Sequence, residues 1–140
     1  MNIDIITFCE SVHNYDGKLV IVGTFNNLNA DKFPTIPRDF SFALSISFDP
    51  SECGQYNGFL KIYKKDKPEM ELVNLDMPLD IRRSDSGRKS FANLSGSLVG
   101  IAIPEPGTYV ASFEIGTFKR EIDLYVNENP SVASSEVTPV

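Results

Sequence analysis

Cys9, Glu10 and His13 place a thiol, a carboxylate and an imidazole close together near the start of the chain. Such a trio can supply a nucleophile, an orienting acid and a base if the thiol ionises and the base lies within hydrogen-bond reach. Local geometry opposes that reading. In an extended strand the steps from residue 9 to residue 13 cover roughly 13 Å, and residue 10 points to the opposite face. Asp16-Gly17 is the strongest turn signal in the stretch. A two-residue turn there pairs Tyr15 with Lys18, His13 with Val20 and Cys9 with Thr24. Phe8, Val12, Leu19, Ile21 and Phe25 then share one sheet face. The segment is predicted to be a hairpin that needs no catalytic role, with Cys9 as a small packing residue and His13 as a polar residue near the hairpin end.

Other reactive side chains give no stronger pattern. Cys53 sits in DPSECGQYNG, read as a loop, where its thiol could be exposed and reactive. There is one histidine and no Cys-x-x-Cys pair, so a zinc site has no ligand set. Asp49, Glu52, Asp76 and Asp80 are the acids from separate loops that calcium would draw on, but EF-hand spacing is missing. Arg82, Arg83, Arg88 and Lys89 in RRSDSGRKS could grip phosphate through guanidinium forks. Asp85 and the turn-like SDSG favour a solvated connector instead. YKKDK, residues 63 to 67, is a second small positive patch. No dinucleotide fingerprint, phosphate loop or serine elbow is present. Asn93-Leu94-Ser95 matches a glycosylation acceptor, which loses its usual meaning in a cytoplasmic protein. No catalytic, cofactor-binding or metal-binding residue is therefore assigned.

The elements that must position these residues are strands. Phe40, Phe42, Leu44, Ile46 and Phe48 alternate with Ser41, Ala43, Ser45 and Ser47, so a strand puts the large residues on one face. The large face is expected in the core; the serine face is either solvated or closely covered. Further strands are expected at 58 to 65, 70 to 75, 89 to 103 (one long strand or two joined by a bend), 108 to 115 and 118 to 126. KDKPE reads as a turn because Pro68 cannot donate to a ladder. Gly96 and Gly100 mark bulges or close backbone approaches. In the last two strands, Tyr109, Ala111, Phe113 and Ile115 share one face, and so do Phe118, Ile122, Leu124 and Val126. Residues 26 to 39 are expected to hold at most a short helical turn, because Pro34 and Pro37 oppose a longer one.

With 140 residues, 41 % of them hydrophobic, the chain can bury one moderate core. About eight strands with polar turns predict an all-β, two-sheet immunoglobulin-like or related Greek-key sandwich, with a small β-barrel as the alternative. The domain is expected over residues 1 to 126, and 127 to 140 as a flexible tail poor in large apolar groups. A formal charge of -6 disfavours a nucleic-acid partner. No apolar run approaches the roughly 20 residues needed to cross a bilayer. The opening MNIDIITFCE carries no basic leader and apolar signal segment, so the expectation is a soluble, cytoplasmic protein with reduced thiols.

FCESV, DGKLVIVG, NADKFPTIP, PGTYVASFEI and FKREIDLYV, taken as an ordered set, give the chain a resemblance to a family of small, uncharacterised bacterial β-sandwich proteins. That resemblance implies a compact bacterial domain and supplies neither a reaction nor catalytic residues. The expected function is a non-enzymatic protein-interaction or assembly domain without cofactors, meeting a protein partner or its own copy through edge strands or loops. The alternative is a small-ligand or carbohydrate-binding sandwich using rings such as Tyr15, Tyr56, Tyr63 and Tyr109. A hydrolase with a site assembled around His13 is the third reading.

Overall fold

A computed structural model describes residues 1–83 and 86–130. Its strands, numbered in chain order, are β1 (Asn2–Tyr15), β2 (Lys18–Phe25), β3 (Asn27–Ala30), β4 (Phe40–Phe48), β5 (Gly54–Lys64), β6 (Lys67–Ile81), β7 (Ser90–Leu98), β8 (Gly107–Ile115) and β9 (Phe118–Glu128). They form a four-stranded sheet, ordered β2-β1-β4-β7, and a five-stranded sheet, ordered β3-β9-β8-β5-β6. The two-sheet all-β expectation holds, and among the described residues neither sheet closes into a barrel.

The alternating patterns explain the layers. β4 turns Phe42, Leu44, Ile46 and Phe48 into the core, against Leu60 and Ile62 of β5 and Tyr109, Ala111, Phe113 and Ile115 of β8. Leu124 and Val126 of β9 join them, whereas Lys119 and Glu121 on its other face are exposed. Gly96 lies opposite Phe42 in the ladder. A Cβ at residue 96 would stand 2.8 Å from the Phe42 ring, so this glycine marks a close approach.

The first hairpin has the register expected from Asp16-Gly17: Tyr15 faces Lys18, His13 faces Val20 and Cys9 faces Thr24. Both turn residues have positive φ, 54° and 77°, as a type I′ turn demands. β1 pairs through its first half with β4 and through its second half with β2. The hairpin turn reaches the outer face of its own sheet, where Asn93 Nδ2 donates to the Gly17 carbonyl at 3.2 Å. Ser45 Oγ, on that same face, donates to Asn93 Oδ1 at 2.9 Å. Ser41, Ala43, Ser45 and Ser47 are all buried. The serine face is thus the covered one of the two alternatives.

Four segments differ from the sequence reading. Residues 26 to 39 hold no helical turn; they contain β3, which pairs in parallel with β9, and a bridge between Thr35 and Ile103. The turn after β5 is Lys65-Asp66 alone, and β6 runs from Lys67 through both Pro68 and Pro78. β6 is an edge strand, where a missing N–H can face solvent at no cost to the ladder. Cys53 lies in the connection before β5, as read, but Gly54 to Asn57, read as part of that loop, belong to β5. At the other end β9 continues through Glu128, and the Asn129 amide donates to the Ala30 carbonyl. The part of the expected tail from residue 131 lies outside the described residues.

Candidate functional site

The fold separates the trio of Cys9, Glu10 and His13. Cys9 is fully buried, and its Sγ lies 3.8 Å from the Ser41 carbonyl oxygen, to which the thiol donates. Burial pushes the Cys9 thiol above its ordinary pKa, the reverse of what a thiolate nucleophile needs. His13 is exposed and stands two rungs further out on the same face, opposite Val20. Glu10 projects from the opposite face of β1 beside Gly23, where an added Cβ would meet its Cγ at 2.8 Å.

The charged candidates are absorbed into local structure. Glu52 accepts from the Asp49 amide at 2.9 Å and from the N-terminal ammonium of Met1. Those two hydrogen bonds hold its carboxyl below the usual glutamate value. Asp80 pairs with Arg82. Among the described residues no three His, Cys, Asp or Glu side chains converge on a metal-sized site. In YKKDK, Lys64 Nζ sits 2.7 Å from Glu105 and 3.0 Å from Asp66. Lys67 reaches the same Glu105, and Lys65 reaches Asp123. This patch is neutralised rather than open to phosphate. Of RRSDSGRKS, Ser84 and Asp85 lie outside the described residues; Arg82, Arg83, Arg88 and Lys89 are exposed.

The tyrosines do not converge either. Tyr109 is fully buried and donates to the Glu105 carbonyl at 2.7 Å. Tyr56 donates to the Glu52 carbonyl. Tyr63 reaches Glu121 at 3.3 Å, and Tyr15 stands exposed at the hairpin end.

Two features remain. The first is a cleft of ≈ 390 Å³ where the hairpin leaves the sandwich, lined by residues of β1 to β4 and the segment before β4. Phe25 and Phe40 contribute apolar wall, with ring centroids 5.6 Å apart. Glu10, Arg38, Asp39, Asn27 and Asn29 supply its polar groups. None of the four tyrosines above lines it, and neither does His13.

The second is the free edge of β2. β2 pairs with β1 on one side and with no described strand on the other. Around a two-residue turn the antiparallel ladder alternates: Lys18, Val20 and Val22 turn their backbone groups toward β1, and Leu19 and Ile21 turn theirs outward. The stretch KLVIVGTF has no proline and no carboxylate. Val20 and Val22 are 44 % and 47 % exposed on the outer face. Natural edges are ordinarily guarded by charge, proline or shortness. β6 has both prolines and a series of acids, and β3 is only 4 residues long. At β7, Ser90 Oγ donates to the Arg82 carbonyl just beyond the end of β6, which ties down only the first residue of that edge. β2 carries one charge, Lys18, at its start, and β7, SFANLSGSL, has neither charge nor proline, so both edges of this sheet are open. Sequence reading identified the strand but not its place at an edge, because strand order is a tertiary property.

Comparison with known proteins adds a family and no activity. Among solved structures the chain is similar to a β-glucosidase from Listeria innocua, at 9% identity and a TM-score of 0.49. It is similar also to the same enzyme in complex with isofagomine, at 8% identity and a TM-score of 0.48. Each likeness covers 88% of this chain, which spans 16% of the enzyme's length. They establish no hydrolase activity for this chain. No curated protein matches the sequence. The model of a family of unknown function (DUF6941) matches residues 4–127, and the chain belongs to that family.

Proposed function

We propose that this protein is a non-enzymatic interaction or assembly domain whose contact strand is β2. The observation that carries this reading is the open outer edge of β2, with the Leu19 and Ile21 backbone groups turned outward and Val20 and Val22 half-exposed beside them. An extended partner strand can satisfy such groups directly, and flanking side chains then set specificity. The dispersal of Cys9, Glu10 and His13 supports a role without catalysis. Two free thiols, one fully buried, suit a reducing cytoplasmic setting, and the motif resemblance supports a bacterial source. The strand order, with β3 parallel to β9 and a buried Tyr109 bonded four residues upstream, supports the immunoglobulin-like form of the sandwich.

The test compares partner capture and cross-linking by the wild type and by Ile21→Pro. Proline at this position removes an outward N–H and leaves the hairpin's own bonds in place. Partner binding lost in Ile21→Pro, with cross-links at Lys18, is the expected result. Identical partners and cross-links in both proteins would refute the reading. A second reading, a small-ligand site, has the cleft at Phe25, Phe40 and Arg38 in its favour. Binding of a small ligand that is lost in Arg38→Ala and kept in Ile21→Pro would select it.

A further inference from the structure

The cleft beside the hairpin joins an aromatic wall to polar side chains that have no partners of their own. We propose that it binds a saccharide, a neutral ligand of ring carbons and hydroxyl groups. This rests on the second, small-ligand reading above and names the ligand; it does not depend on the β2 edge.

Three observations select that class. The first is a rigid ring at the wall. Phe25 is half-buried, stacked on Phe8 with centroids 6.2 Å apart and met edge-on by Phe40. The C–H face of a sugar ring packs on such a surface while its hydroxyls project sideways. The second is a set of polar groups fixed in advance. Glu10 lies across Gly23, where an added Cβ would stand 2.8 Å from its Cγ and 3.0 Å from its Oε2. Glycine at 23 leaves the room that Glu10 occupies. Asn127 Nδ2 donates to Asn27 Oδ1 at 3.2 Å and to Asn29 Oδ1 at 3.1 Å. Both cleft amides are thereby held, and Asn29 Nδ2 keeps its protons free of any acceptor among the described residues. Groups ordered beforehand lower the cost of binding. The third is charge. Among the described residues the side chains of Glu10, Arg38 and Asp39 form no ion pair or hydrogen bond, although all three line the cleft. An anion there is opposed by two carboxylates and by the formal -6 of the chain. An organic cation is opposed by Arg38. A hydroxyl donates and accepts, so adjacent hydroxyls on one ring can give protons to Glu10 and Asp39 and accept them from Arg38 and Asn29.

The experiment screens the whole chain on a printed array of neutral oligosaccharides. It then titrates the chain with the sugars bound there, and with maltose, cellobiose and chitobiose, by proton–nitrogen NMR. Choline, phenylalanine and inorganic phosphate are the charged probes. At least one sugar is expected to shift the Asn29 side-chain amide signal and the backbone signals of Phe25 and Arg38, with saturation. Glu10→Ala and Asn29→Ala alter exposed side chains and are each expected to weaken that binding about tenfold or more, with an unchanged far-ultraviolet circular dichroism spectrum. Ile21→Pro is expected to bind the sugar as wild type does. Failure of every sugar to bind overturns the proposal, and so does sugar binding indifferent to both Glu10→Ala and Asn29→Ala. Choline, phenylalanine or phosphate shifting these signals where no sugar does overturns the saccharide class alone and leaves the small-ligand site standing. Silence from every probe overturns both.

Discussion

Cys9 shows how burial decides the chemistry of a side chain. Its thiol is enclosed, donates to a backbone carbonyl and is pushed toward the protonated form. Alkylation of the native protein near neutral pH is expected to label Cys53 and spare Cys9, with both modified after unfolding. Mass mapping of the labelled peptides checks this, and rapid native labelling of Cys9 would contradict its burial. Tyr109 makes the opposite use of a polar group: its buried hydroxyl is satisfied by the Glu105 carbonyl. Tyr109→Phe removes that bond and is expected to cost about 1 kcal/mol in chemical denaturation. At Gly96 the limit is space. A methyl group there meets the packed ring of Phe42 at 2.8 Å, so Gly96→Ala is expected to lower stability by about 1–3 kcal/mol. The hairpin register at Cys9 and His13 was legible in the sequence because Asp16-Gly17 fixes both turn type and pairing. The packing role read for Cys9 agrees with its full burial, while the Ser41 carbonyl that its thiol meets was not legible, since that contact comes from β4.

Elements were legible where a period of two met a turn residue. β4 and β8 have alternating large residues and bury the faces that the alternation marks, whereas β9 buries Leu124 and Val126 of its marked face and leaves Phe118 40 % exposed. β3 has four residues, Asn-Leu-Asn-Ala, and no pattern of its own; its pairing with β9 joins segments nearly a hundred residues apart. β6 extends through Pro68, because the rule that proline breaks a strand relaxes on an edge. The cleft was equally hidden, because its walls come from residue 10, residues 25 to 29 and residues 37 to 40. The corner between β5, β6 and β8 is held by Lys64, Lys67 and Glu105. Hydrogen bonds from Lys64 and Lys67 hold the Glu105 carboxyl below its ordinary value. Glu52 is lowered by the N-terminal ammonium and the Asp49 amide. A carboxylate with a depressed folded-state pKa stabilises the fold above its unfolded value and loses that contribution as pH falls through the folded one. Stability is therefore expected to drop on acidification below the ordinary glutamate range. Glu52→Gln and Glu105→Gln should each flatten that drop in denaturation curves measured across pH. An unchanged acid slope in both variants would contradict these pairings.

At the scale of the molecule, two sheets enclose a phenylalanine-rich core and leave their edges unequally defended. Prolines and acids guard β6 and shortness guards β3, whereas β2, with Lys18 as its one charge, and the uncharged β7 present open backbone. The class of fold was readable from alternation, but the arrangement that makes β2 an edge was not, because another strand could have paired with β2 on the side away from β1. That arrangement converts a simple hairpin into a candidate contact surface. Residue-resolved amide hydrogen exchange tests this most directly, with the protein alone at low concentration and then at high concentration or saturated with a captured partner. The Leu19 and Ile21 amides are expected to exchange freely in the dilute chain and to become protected on association, while Val20 and Val22, bonded to β1, change little. Association that protects the β6 or β7 edge and leaves Leu19 and Ile21 exchanging freely would contradict the account.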